Sequence, residues 1–236
     1  MRWVDDAIIL RVKKTGENSA TLSLLTHNHG RHMGLFSGIK NKKNKAFLQE
    51  ASLVKATWKA RLESQLGRFT LEPIKLYWPQ YMQNPSHLDA MLSATALIHI
   101  LLAEQQSSPL IYQSFLALLE HLDSPYWATL YIRWELQLLS DIGFGLDLSQ
   151  CAITGGQENL KWVSPNTGKA ANFEAGLAWK DKLLTLPQFL LNHQHTPDNK
   201  ELLEGFHLTG HFLQKALDFH QKNLPDARER LITRLL

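Results

Sequence analysis

Four lysines, Lys40, Lys42, Lys43 and Lys45, fall within six positions of the stretch "GIKNKKNK", and no Asp or Glu occurs between Glu17 and Glu50. An acid-free run of ammonium groups can neutralise phosphates and raises the local concentration of polyanions. On charge alone a solvated loop is the favoured reading of this run, and the acid-free window and the basic strand face shift it toward nucleic acid. Further cations flank it: Arg31 before, and Lys55, Lys59, Arg61 and Arg68 after. Three aromatic residues lie among them, Phe36, Trp58 and Phe69. Cations tracking phosphates and aromatics stacking on bases are the two ingredients of single-strand binding.

Other reactive residue types are placed less tellingly. His27, His29 and His32 cluster in one turn, and His207 and His211 have the i, i+4 spacing that can present two imidazoles to a metal. No H-E-x-x-H motif accompanies them, so surface or packing roles are expected. Cys151, in "DLSQCAITGG", has no basic neighbour to lower its thiol pKa. Neither a G-x-S-x-G elbow nor a phosphate loop is present. The residues therefore argue for no catalytic group, no metal and no cofactor. Arg133, beside Glu135 in "YIRWELQLL", has two readings. It snorkels or pairs with a carboxylate, or it reads an acidic peptide whose apolar end fills a neighbouring pocket.

The elements that must position these residues divide by charge. Residues 1–80 hold 14 Lys and Arg against 6 Asp and Glu, whereas the remainder of the 236 residues is net acidic. The 44% hydrophobic content excludes extensive disorder. A single cysteine excludes a disulfide framework and suits a reducing cytoplasm. The longest apolar run, Ala94–Ala103, contains His99 and is too short to span a bilayer. A cytoplasmic protein with no membrane partner is expected.

Strands are expected at Ala7–Val12, Thr21–Thr26, Arg31–Phe36, Ala51–Arg61 and Arg68–Trp78. In the fourth, Val54, Ala56, Trp58 and Ala60 share one face, and Lys55, Thr57, Lys59 and Arg61 the other. Pro73 marks the fifth as bulged or at an edge. Five short strands suggest a small closed barrel over 1–80, with the oligonucleotide-binding (OB) fold as the leading form, and a lysine loop between strands three and four. Helical periodicity dominates residues 81–236. Helices are expected after Ser86 (with Asp89 completing a near capping box), Ser108-Pro109 and Ser124-Pro125, then over Asn199–Gln221 and after Pro225. Residues 144–198 read as irregular around a hairpin in "LKWVSPNTGKAANF". The fold class is α+β.

Two stretches, "GRHMGLFSGIKNKKNKAFLQ" and "IRWELQLLSDIGFGLDLSQCAITG", in this order and spacing, resemble the bacterial recombination mediator family RecO. The resemblance covers about residues 5–235. It implies an OB barrel, a helical domain, binding of single- and double-stranded DNA and annealing of complementary strands. It also implies RecR and the C-terminal tail of single-strand-binding protein (SSB) as partners, with RecA loaded indirectly, near the nucleoid. Arg31, Lys40 and Lys43 match the family's basic barrel positions, Lys42 and Lys45 extend them, and Lys59, Arg61 and Arg68 add to the DNA surface. Arg133 matches the arginine that holds the SSB tail. Metal-bearing relatives carry two C-x2-C pairs, whereas here they read Cys151-x2-Thr154 and Asn172-x2-Ala175. The knuckle-like segment is therefore expected to be metal-free and held by Trp162, Phe173 and Trp179. An RNA-binding barrel, or an enzyme with its site in the helical domain, stays open on the residues alone.

Overall fold

Alternating inward apolar and outward polar side chains build five strands in the structure, a computed structural model that describes residues 1–62 and 65–235. They are β1 (Arg2–Lys14), β2 (Ser19–Thr26), β3 (Gly30–Ser37), β4 (Leu53–Lys59) and β5 (Arg68–Lys75). They close a barrel in the order β1-β2-β3-β5-β4, the topology expected of an OB fold. β1 begins at Arg2 rather than Ala7, because Trp3 and Asp5 already pair with Trp58 and Ala56 of β4. Its later half pairs with β2, with a bulge between Ile9 and Arg11. Pro73 sits beside the register shift of the β4–β5 ladder, as a residue without a backbone donor should.

Ala7, Ile9, Leu22, Leu24, Val54, Ala56, Trp58 and Phe69 fill the barrel. Phe47 joins them from α1 (Lys42–Phe47). The lysine stretch is thus a short helix rather than the expected loop. Asn41 caps it, its side-chain oxygen accepting from Lys43 N at 3.0 Å, and Phe47 anchors its end in the core.

The chain packs as two compact units, Met1–Asp123 and Ser124–Leu236. The first also holds α2 (Trp78–Tyr81), α3 (Pro85–Leu101) and α4 (Pro109–Glu120). α3 is capped by Asn84, not Ser86: the Asn84 Oδ1 accepts from Ser86 N and His87 N, and Pro85 takes the first helical position. α3 packs against β1, and His99 lies 3.3 Å from an Arg11 nitrogen and 3.0 Å from Ser23 Oγ.

The second unit contains α5 (Trp127–Asp141), β6 (Leu160–Val163), β7 (Ala170–Asn172), α6 (Phe173–Gly176), β8 (Leu184–Thr185), α7 (Asn199–Asp218) and α8 (Asp226–Thr233). β6 and β7 form the expected hairpin, which β8 extends to a three-stranded sheet. α5 starts at Trp127, after Ser124 Oγ has accepted from Tyr126 N. Its buried Glu135 receives a two-pronged ion pair from Arg228 of α8, Nε at 2.7 Å and Nη2 at 2.9 Å. Arg228 also donates to the Phe206 carbonyl on α7, so one guanidinium ties three helices. Glu135 shows no exposure and the Arg228 side chain 3%, so neither charge has water as an alternative partner.

Glu135→Ala should lower stability by roughly 3–5 kcal/mol, because it strands a buried guanidinium. Glu135→Leu with Arg228→Met should cost less than the single change. Equal or greater loss in chemical denaturation would refute the pair's role.

Burial, with the positive charges of Arg31 and Arg11, pulls the His99 pKa down to about 4. An unfolded histidine titrates near ~6.5. Between those values the unfolded chain binds a proton that the folded chain refuses, so stability falls as pH drops through this window. Urea midpoints of the wild type should decline more steeply from about pH 7 to about pH 4.5 than those of His99→Gln; parallel declines would show that His99 carries no linkage.

Candidate nucleic-acid interface

The barrel closes where β3 meets β5, through the parallel bridge Leu35↔Arg68 and a 3.0 Å bond from Leu35 N to the Gly67 carbonyl. Two glycines make the approach possible. A Cβ on Gly34 would stand 2.6 Å from the Phe69 ring, and one on Gly67, at φ +66°, would stand 2.3 Å from the Trp58 indole. Closure brings two shallow depressions together with Leu35 and Arg68 common to both. One runs past Ser37, Asn44 of α1 and Thr70. The other runs past Lys59, Arg61 and Gln65. No carboxylate lines either among the described residues.

Register sets the cations beside one another. Arg2 of β1 pairs with Lys59 of β4, and Lys59 pairs with Arg68 of β5. All three are exposed, and none forms an ion pair among the described residues. Directly opposed cross-strand side chains stand ~5 Å apart at Cβ, and like charges there repel. This row lowers barrel stability unless an anion compensates it. Arg2 is absent from the sequence-derived set; only strand register shows that it joins Lys59 and Arg68. Four residues further along the same outer face of β1 and β4 the balance changes, since Lys55 is in register with both Asp6 and Glu72.

The lysine helix divides its cations. Lys42, Lys43 and Lys45 are exposed and without ion pairs among the described residues. Lys40 lies 3.3 Å from Glu17. Arg31 is engaged away from the band. Its side chain is 11% exposed, Nε donates to the Leu102 carbonyl at 2.8 Å, and Nη2 meets Glu104 at 3.4 Å. Burial lowers its pKa, against the pull of Glu104. The expected stacking residues are not available either. Phe36, Trp58 and Phe69 are buried in the barrel, with Trp58 Nε1 donating to the Leu66 carbonyl, so no base can reach their faces.

In the turn histidines the rings pack instead of ligating. His29 stacks on Trp3, His32 meets Trp3 and Trp58 edge-on, and His27 meets Tyr112.

In the second unit Arg133 sits on α5, and its guanidinium donates to the Phe189 carbonyl and to a ring nitrogen of His193. It does not pair with Glu135, whose partner is Arg228. Burial lowers its pKa, and its Nε has no hydrogen-bond partner among the described residues. Leu130 and Tyr126, one and two turns before it, are exposed apolar side chains. His211 bonds to the Pro165 carbonyl, whereas His207 is exposed.

Cys151 is buried, and its sulfur accepts from Asn172 N at 3.3 Å. Burial opposes thiolate formation, but bonds from Thr154 and the backbone of Asn172, Thr154 and Ile153 outweigh it and bring the pKa to about 7. Trp162 stacks on Phe173 and covers Gly176, where a Cβ would stand 2.2 Å from the ring. Trp179, expected to help hold this segment, is 54% exposed.

Comparison with known proteins gives the same family in both halves of the chain. Residues 1–77 match Recombination protein O N terminal, and residues 82–225 match Recombination protein O C terminal. Relatives named DNA repair protein RecO span nearly the whole chain. The one from Cereibacter sphaeroides is 38% identical over 234 residues, 98% of this chain and 97% of its own length. That from Methylorubrum extorquens is 38% identical over 240 residues, with the same two coverages. That from Rhodospirillum centenum is 40% identical over 237 residues, 99% of this chain and 94% of its own.

Proposed function

This chain belongs to the RecO family, and we propose that it acts in recombinational DNA repair as a DNA-binding mediator without a catalytic step of its own. It binds single- and double-stranded DNA through the barrel and anneals complementary strands. With RecR it helps load RecA onto strands coated by SSB, in the bacterial cytoplasm. The observation that carries this reading is the cationic band around Arg68, made of the Arg2–Lys59–Arg68 row and Arg61, with no carboxylate among the described residues that line its two depressions, and with the exposed lysines Lys42, Lys43 and Lys45 on α1, whose Asn44 lines one of them. Repulsion between phosphates is the barrier to bringing two strands together, and such a band screens it. With Phe36, Trp58 and Phe69 buried, this surface offers phosphate contacts rather than stacking on those rings, which suits a protein that must accept any sequence.

Arg133 supports the partner side of the reading. A guanidinium whose Nε has no hydrogen-bond partner among the described residues, with exposed Leu130 on the same helix and exposed Tyr126 at its N-cap, suits a peptide that carries carboxylates and an apolar tip, the character of the SSB tail.

Replacing Lys42, Lys43 and Lys45 together by Ala should weaken binding to bare single strands and make the log–log salt dependence shallower by about 2. An unaltered slope in fluorescence titrations would remove α1 from the DNA surface. Arg133→Ala should reduce affinity for an SSB-tail peptide roughly tenfold or more, as loss of a charge-assisted contact worth about 1.5–3 kcal/mol requires. Unchanged peptide affinity by calorimetry would end that assignment.

A further inference from the structure

A second concave surface on the barrel, outside the band just described, gathers hydrogen-bond donors around an empty centre. It is bordered by Arg11 and Lys13 of β1, Thr21 and Ser23 of β2, Arg31 of β3 and His99 of α3. Its hydrogen-bond polarity follows from the chemistry of arginine. A guanidinium can only donate. Arg11 Nη1 is 3.3 Å from His99 Nε2, so Nε2 accepts and the imidazole proton sits on Nδ1. Nδ1 then donates to Ser23 Oγ, 3.0 Å away. The low pKa of His99 keeps the ring in this neutral form at pH 7.

Ser23 is left with its own hydroxyl proton and no acceptor for it among the described residues, although it is only 2% exposed. Buried hydroxyl protons ordinarily find acceptors. Around it stand the Thr21 hydroxyl, the exposed Arg11 and Lys13 cations, and Arg31. Glu104, the carboxylate among the described residues at the border, is already held by Arg31 at 3.4 Å. The site therefore offers donors to an oxyanion.

We propose that this depression binds a backbone phosphate of nucleic acid. It carries the DNA path from the Arg68 band across β3 onto β1 and β2. Met33 faces this depression and Leu35 faces the band; the two are alternate outward residues of one strand, ~7 Å apart along β3. The proposal rests on the DNA-binding reading of the barrel and adds Arg11, Lys13 and Ser23 to it.

Lys13→Gln and Arg11→Gln separate charge from structure, since Lys13 has no side-chain partner among the described residues whereas Arg11 contacts His99. Binding of an oligodeoxythymidylate would be titrated across salt for both variants and for Lys42/Lys43/Lys45→Ala, with thermal unfolding as a check on the fold. Each single variant should lose about 0.7 from the salt slope. Inorganic phosphate, added at constant ionic strength, should compete weakly with the oligonucleotide. Unchanged slopes in both single variants alongside a shallower slope in the lysine variant would overturn the depression alone. Unchanged slopes in all three would overturn the DNA reading of the barrel as well. Saturable phosphate binding that leaves oligonucleotide affinity untouched would make this a free-anion site and overturn the backbone assignment.

Discussion

Closure of the barrel between β3 and β5 is the constraint on which the cationic surface depends. The join is sparse: one parallel bridge, Leu35↔Arg68, and the bond from Leu35 N to the Gly67 carbonyl. It works because Gly34 and Gly67 let the strands approach over the Phe69 and Trp58 rings, which fill the space that side chains at those glycines would claim. Without that join, Arg68 would be an edge-strand residue next to Lys59 alone. With it, Arg68 lies between Lys59 of β4 and Leu35 of β3, and Lys59, Arg61 and Arg68 line adjoining depressions, one of which Asn44 of α1 borders.

The two units treat charge in opposite ways. In the second, Glu135 and Arg228 are withdrawn from water, and the hydrogen bonds of the guanidinium hold three helices. Such a pair gains little over an apolar replacement, but half of it alone is costly. In the barrel, Arg2, Lys59 and Arg68 are left exposed beside one another, and neither they nor Lys42, Lys43 and Lys45 of α1 form an ion pair among the described residues. They repel in the free protein, and a polyanion relieves that repulsion. One arrangement withdraws paired charges from water, and the other leaves like charges facing it.

The legible parts of this chain are those set by local periodicity. The alternation of Val54, Ala56 and Trp58 with Lys55, Thr57 and Lys59 places the β4 faces correctly, and Pro73 marks the irregular ladder. The short lysine helix is not legible because six residues give too little periodicity to read, and its anchor, Phe47, is recognisable only against the barrel interior. Ser86 points to an α3 cap two residues too late, because Asn84, followed by Pro85, does the same work. Trp58 and Phe69 look available to bases because their neighbours are cationic. Alternation puts those neighbours on the opposite face and the rings inside.

Fold class, the order of the barrel and helical segments, and a basic first half without acids around its lysines are all written in the chain itself. These follow from residue type and short spacing, which act through local backbone preference and summed charge. Which cations face solvent together is settled by packing in three dimensions. Arg31 turns to Leu102 and Glu104, Lys40 meets Glu17, Lys55 is set between Asp6 and Glu72, and Arg2 comes beside Lys59 and Arg68. Electrostatic character depends on distances between residues far apart in the chain, and strand register and barrel closure set those distances.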